Sequence, residues 1–471
     1  MNKRWLAFLL AITLLGCNKG NLETVSPTTG PVPVTVIVNE NQPGYAIPPI
    51  FEGLSYETGI FGESPDFLNE NNSVLIQLIK NLGKGVLRIG GNSSDQVDWT
   101  GSVRTDSTLP NSLTTTDIDH LSAFARATGW PVLFGLNLGH FNSDTAAKEA
   151  FYVHNSLQNN LYAFQSGNEP DDYKFYCRPL AYDYKSYQKE WNAYFLAVKK
   201  IAPKAHFAGP DVDRFNPEWV SSFAGNEHGN VQLIDSHYYS TGPASDPSII
   251  YSDILKPSAH LNNYLLQLSK ISAKNHLPYR ISECNSVSGG GKAGVSDIFA
   301  SALWTLDFMW NVAENRGQGI NLHGGPKHFV YTPLGMQDGK VAPRPNYYAM
   351  LAFKYATNDA KIIPATINDP RDFNNCSVYA CANTDNTYSV TIINKDVKDF
   401  AFTVQLSKTA STIQIARLTA PSLTSTTGTT FAGSSVNDDG TFTPSAQEKT
   451  INSKNFVVNV PAGSAVVVLV K

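Results

Sequence analysis

From Ile50 to about Leu334, short apolar runs alternate with longer amphipathic stretches. The runs that read as buried strands are Phe51–Tyr56, Gly85–Gly90, Pro131–Asn137, Leu161–Gln165, Ala205–Gly209, Leu233–Tyr238, Tyr279–Ser282 and Gly319–His323. Each is short and nearly continuous in apolar character, as expected of strands covered on both faces. Between them lie segments with helical spacing: Val74–Leu82, Ile118–Arg126, Tyr187–Ile201 and Asp297–Met309. Asp117 is a candidate N-cap for the second of these and Gly129 its stop. Eight strand-then-helix units over roughly 290 residues predict a (β/α)8 TIM barrel. The rival, an open doubly wound sheet, usually carries a glycine-rich nucleotide turn after its first strand, and this chain has none there.

After Pro345 the period changes to two. Tyr379–Ala382, Tyr388–Asn394, Phe400–Gln405, Thr412–Arg417, Asn455–Val460 and Ser464–Val470 alternate apolar and polar residues between clusters of Asn, Asp, Gly, Ser and Thr. That rhythm predicts an antiparallel β-sandwich. The early segment Val34–Val38 is also strand-like and is expected to pair with the sandwich, bringing the two ends of the chain together.

The start of the chain reads as an address. Lys3 and Arg4 precede the apolar stretch Trp5–Leu15, which is too short to span a bilayer comfortably. Leu14-Leu15-Gly16-Cys17 resembles a bacterial lipobox, which implies cleavage before Cys17 and lipidation of its thiol. The expected organisation is a signal peptide over 1–16 and a flexible tether over 17–33. A joining strand over 34–48, a catalytic barrel over 49–340 and a sandwich over 341–471 follow. The expected location is outside the cytoplasm, lipid-anchored to a bacterial membrane, with membrane contact through that anchor alone.

The formal net charge is only −4, with no basic stripe of the kind nucleic acid demands, so no nucleic-acid partner is expected. Beyond Cys17 there are four cysteines, Cys177, Cys284, Cys376 and Cys381, without metal spacing. His323 and His328 form no ligand pattern with a carboxylate, so neither metal nor cofactor is expected.

The chemistry is carried by two glutamates. Glu169, in Gly167-Asn168-Glu169-Pro170, ends the fourth strand candidate; Glu283 ends the seventh. Barrel enzymes place reacting groups at the C-terminal ends of strands, so both carboxyls are predicted to enter one cleft. Two such carboxyls cleave a glycosidic bond: one protonates the leaving oxygen, and the other attacks the sugar or activates water. A gap of about 5–5.5 Å means retention of configuration, and about 6.5–9.5 Å means inversion. Arg88, at the end of the second strand, is placed to keep one carboxylate ionised. Tyr238 and Tyr239 are neighbours on the sixth strand, so only one can point at the site. His237 reads equally as catalytic support or as a core imidazole, and Glu57 and Asn92 as sugar ligands or solvated loop residues.

Asn-Glu-Pro after strand four with a Glu after strand seven resembles clan A glycoside hydrolases, which are retaining barrels. The stretch Glu283–Trp304, with Leu87-Arg88-Ile89-Gly90-Gly91, His237-Tyr238-Tyr239 and the barrel-then-sandwich order, resembles glycoside hydrolase family 79. That family contains β-glucuronidases and heparanases. The resemblance implies that Glu169 is acid and then base, that Glu283 is the nucleophile, and that Asn168 binds the sugar 2-hydroxyl. It also implies that glycine amides, here Gly289 and Gly290, hold the uronate carboxylate beside a tyrosine. Ser288 stands at that tyrosine position, which points either to a modified uronate, such as a 4-O-methyl form, or to recognition through Ser288, Lys292 or Tyr331. The expected function is a retaining exo-β-glucuronidase acting on glycans. The alternatives are a clan A glycosidase for a neutral sugar (xyloside, arabinoside or galactoside), an endo-acting heparanase-like enzyme, and a non-enzymatic surface glycan-binding lipoprotein.

Overall fold

The computed structural model describes residues 30–105, 107–213, 216–371 and 375–471. The lipobox with Cys17, the signal peptide and most of the tether lie outside the described residues. Among those described, no helix is long and apolar enough to cross a membrane.

Eight parallel strands form the barrel: β1 (Glu52–Glu57), β2 (Gly85–Gly90), β3 (Val132–Leu136), β4 (Leu161–Ser166), β5 (Ala208–Val212), β6 (Leu233–Thr241), β7 (Tyr279–Val287) and β8 (Ile320–Gly324). Hydrogen bonding runs in the order β4-β3-β2-β1-β8-β7-β6-β5. The ring closes between β4 and the chain entering β5, through a bridge of Phe164 with Phe207 and a bond from Phe164 N to His206 O of 2.8 Å. Apolar side chains fill the strand–helix layer and one small cluster of Val86, Leu133, Ala163, Ala208 and Leu233, while polar side chains such as Arg88, Gln165, Asp235, Arg280 and Asn321 are buried among the strands.

Two local readings need correction. Helix Thr115–Thr128 begins at Thr114, not Asp117: the Thr114 hydroxyl accepts from Asp117 N, and the Asp117 carboxylate accepts from Thr114 N. This reciprocal box satisfies two otherwise orphaned amides. Gly129, at φ 75°, ends the helix as expected. Strand β5 runs three residues beyond Gly209, through Pro210 to Val212. The register shifts between Pro210 and Val212, and at such a bulge the missing N–H of proline costs no ladder bond.

In the second domain, Phe400–Gln405 and Thr412–Arg417 are parts of one twenty-residue strand, Phe400–Thr419. Register shifts between Gln405 and Thr412 bend it, so that one sheet folds over its own core of Val34, Val36, Val390, Ile392, Phe402, Val404, Val466 and Val468. Its first half pairs in parallel with Val32–Val38 and its second half antiparallel with Ser464–Val470. The two ends of the described chain thus flank the same strand. Helix Pro345–Ala356, which the sequence rhythm assigned to the sandwich, packs on helix Phe299–Glu314 as the eighth helix of the barrel. The sandwich braces this corner: Tyr379 stacks on Trp310 at 5.4 Å and donates to Asp307 at 2.7 Å, and Lys395 donates to the same carboxylate at 2.6 Å. All four described cysteines are free thiols.

Candidate active site

Glu169 and Glu283 meet at the C-terminal mouth of the barrel. One carboxylate oxygen of each, with a ring nitrogen of His237, lie within 4.8 Å of one another. Strand β7 delivers Glu283 through a register shift between Ile281 and Glu283. That bulge lets consecutive residues act inward: Ser282 Oγ donates to Asp211 at 2.7 Å while Glu283 enters the cleft.

Arg88 is fully buried and organises the floor. Its guanidinium donates to Glu283 Oε2, Asp211 Oδ2 and Asn168 Oδ1, each at 2.7 Å. It also donates to Ser55 Oγ at 2.9 Å and Gln165 Oε1 at 3.1 Å. The glycines of Arg88-Ile89-Gly90-Gly91 are explained by crowding. A Cβ on Gly90 would stand 2.8 Å from the Arg88 guanidinium carbon, and one on Gly91 would stand 2.5 Å from the Glu57 carboxylate. Gly91 also has φ 74°.

The two glutamates titrate in opposite directions. For Glu283, burial alone would raise the pKa, but His323, His237, Arg88 and the bond from Tyr239 outweigh it and hold the carboxyl well below its ordinary range. Tyr239 Oη donates to Glu283 Oε1 at 2.7 Å. Burial pushes Glu169 up to about 8, and the Glu283 charge adds to the rise against the opposing pull of His237. One group is therefore a carboxylate and the other a carboxylic acid at neutral pH, the split that acid and nucleophile require.

His237 links acid and floor, with Nδ1 2.8 Å from Glu169 Oε1 and Nε2 2.9 Å from Asp211 Oδ1. Asn168 donates through Nδ2 to Asn92 Oδ1 at 3.0 Å. Glu57 accepts from the Ser93 amide and hydroxyl and lies 3.4 Å from His323 Nε2. Tyr331 Oη lies 3.3 Å from Tyr239 Oη. The loop Ser288-Gly289-Gly290-Gly291 packs against this tyrosine's segment, and Val330 N donates to Gly290 O at 2.7 Å. Gly289, Gly290 and Gly291 all have positive φ, and the Gly289 amide finds no hydrogen-bond acceptor among the described residues.

Two predicted ligands are not at the site. Tyr238 faces outward from β6 and stacks on Phe308 at 5.3 Å, as strand alternation demands once Tyr239 points in. Lys292 turns to Asp246 O at 2.5 Å, which occupies its ammonium. His328 enters none of these contacts. Asp211 was not among the residues singled out from the sequence. Here it is the buried hub, held down to about 2 because Arg88 and His237 overcome the effect of burial. Gln165, Ser282 and His323 were missed. His323 Nδ1 stands 2.9 Å from Ser55 Oγ and 3.6 Å from Glu283. The available signal was position: Gln165 and His323 stand one residue before the ends of β4 and β8, and Ser282 stands immediately before Glu283.

Residues 378–467 match the model of the glycosyl hydrolase family 79 C-terminal beta domain. The chain is 25% identical over 393 residues to a beta-glucuronidase of Aspergillus niger, covering 73% of this chain and 71% of that one. It is 23% identical over 381 residues to a beta-glucuronidase of Neurospora crassa, covering 68% and 65%. Among solved structures it superposes on a 4-O-alpha-L-rhamnosyl-beta-D-glucuronidase of Fusarium oxysporum with a TM-score of 0.74. There the identity is 19%, over 92% of this chain and 100% of that one. Barrel, paired carboxylates and relatives together define a glycoside hydrolase. More narrowly, the match over residues 378–467 and the beta-glucuronidase relatives support glycoside hydrolase family 79.

Proposed function

We propose that the chain is a retaining exo-β-glucuronidase that removes terminal glucuronic acid, plain or 4-O-substituted, from glycans by double displacement. The observation that carries this reading is the pair of close, oppositely titrating carboxyls, with oxygens within 4.8 Å. That gap leaves no room for the water an inverting enzyme holds between its carboxyls.

Glu283, ionised and oriented by Arg88 and Tyr239, attacks the anomeric carbon. Glu169 gives its proton to the departing oxygen. A glycosyl ester on Glu283 carries no charge, so the repulsion that raises the Glu169 pKa disappears. Glu169 then takes a proton from water, which attacks the ester and regenerates Glu283. Asn168 has a second Nδ2 hydrogen beyond the one given to Asn92, and offers it to the sugar 2-hydroxyl. The amides of Gly289 and Gly290, in a loop of positive φ, supply donors for the uronate carboxylate. Ser288 is smaller than a tyrosine and leaves space for a substituent on the sugar. Exo action is supported by the small net charge of −4, which suits a single uronate better than a long polyanion. The lipobox resemblance at Cys17 supports an exported, lipid-tethered enzyme; loss of fatty-acid labelling in Cys17→Ala tests that part.

The test of specificity is hydrolysis of nitrophenyl β-glycosides by the enzyme and by Glu283→Gln. The expected result is cleavage of the β-glucuronide well above the xyloside, glucoside and galactoside, with no turnover by the variant. Preference for a neutral glycoside would overturn the uronate assignment of the glycine loop.

A further inference from the structure

Past the acid, the chain makes a short 3-10 turn, Pro170–Phe175, closed by Tyr176. Two aromatic rings stand in solvent there: Phe175 is 70% exposed and Tyr176 is 56% exposed. The turn beneath them is firmly tied. Tyr173 is buried and donates to Asp95 Oδ2 at 2.8 Å, and the same oxygen accepts from Asn168 N at 3.2 Å. One carboxylate thus clamps the residue before the acid to the middle of the turn. The Arg178 guanidinium covers the Tyr173 and Tyr182 rings at 5.5 and 5.8 Å and pairs with Glu190 at 3.0 Å. Tyr176 lies edge-on to Tyr173 at 5.6 Å, with its hydroxyl 3.4 Å from Asn168 O. Its ring is held next to the acid while more than half of the residue stays in water.

A general acid works on the oxygen of the leaving group, so the leaving group must lie on the acid's side of the scissile bond. A rigid exposed ring at that point has an open face, and the C–H faces of pyranoses are apolar. We propose that Tyr176, with Phe175 beside it, is the stacking platform for the leaving-group pyranose, so that this enzyme selects for a sugar rather than a small alcohol beyond the cleavage point. The proposal rests on Glu169 being the acid.

The experiment compares two substrates with one glycone: a disaccharide and the methyl β-glycoside. Both leaving oxygens need the proton of Glu169, but only the disaccharide has a ring to stack. Tyr176→Ala is expected to lower the disaccharide-to-methyl ratio of kcat/KM by about tenfold, the size of one aromatic contact. Tyr176→Phe keeps the ring, loses only the bond to Asn168 O, and should keep the wild-type ratio. Equal losses on both substrates in Tyr176→Ala would assign the ring to holding the acid loop and overturn the proposal, as would an unchanged ratio. If the wild type prefers a neutral glycone, the glucuronidase reading fails separately; the ratio is then read on the glycone the wild type accepts.

Discussion

Asp211 lies 2.9 Å from His237 Nε2, and this contact decides what the other ring nitrogen does. Ionised Asp211 is an acceptor only, so Nε2 carries a hydrogen and Nδ1 faces Glu169 Oε1. Burial opposes charge on His237, but Asp211 and Glu283 raise its pKa well above the ordinary value, so Nδ1 is also protonated at neutral pH. The imidazolium thus restrains the rise that burial and Glu283 impose on Glu169.

A pH profile follows. Glu169 must be protonated to act, so kcat/KM on an alkyl glycoside should fall as pH rises through about 8. The acid limb belongs to Glu283 and should lie far below neutrality. Replacing His237 with Gln removes a positive charge that lowers the Glu169 pKa, so the basic limb should move to higher pH. A downward shift would show that His237 does not act on the acid in this way.

Glu169→Gln should spare substrates whose leaving group departs without a proton. Loss of general acid catalysis costs about 10²–10⁴-fold on an alkyl glycoside. Formation of the covalent intermediate from a dinitrophenyl glycoside should remain fast, with slow breakdown, seen as a burst in rapid kinetics. Equal damage to both substrates would argue against the acid role.

Tyr239→Phe removes the hydroxyl that donates to Glu283 at 2.7 Å. A hydrogen bond to a charged group contributes about 1.5–3 kcal/mol, so kcat/KM should drop by about 10–100-fold. Tyr238→Phe is the matched control, since that ring packs outside the barrel, and its steady-state kinetics should follow the wild type.

Asp211→Ala should destabilise the fold itself. It leaves Arg88 with one carboxylate fewer in a fully buried position, and breaking a buried pair costs about 3–5 kcal/mol. Chemical denaturation measures this directly. Because the folded pKa of Asp211 lies near 2, below its ordinary 3.8, its contribution is full above the ordinary value and lost as pH falls toward 2.

The barrel was legible because its strands are covered on both faces and so stand out as apolar runs, from Gly85–Gly90 to Tyr279–Ser282. Strand-end position was enough to single out Glu169, Glu283 and Arg88, whereas Asn168 came from the family resemblance. Asp211 was hidden because its importance lies in four partners from four strands, none near it in sequence: Arg88, Gln165, His237 and Ser282. The bulge that turns both Ser282 and Glu283 inward leaves no mark in a pattern of period two. Helix Pro345–Ala356 was misassigned because its apolar character begins where the alternating rhythm takes over, and only packing shows which domain it covers.

The central claim is that Glu169 and Glu283 work as a double-displacement pair on a β-glucuronide. Proton NMR of the sugar released in the first minutes, before mutarotation, tests it most directly. The account predicts that β-glucuronic acid appears first and α-glucuronic acid grows in later. Initial release of the α-anomer would mean inversion and would contradict the role given to Glu283.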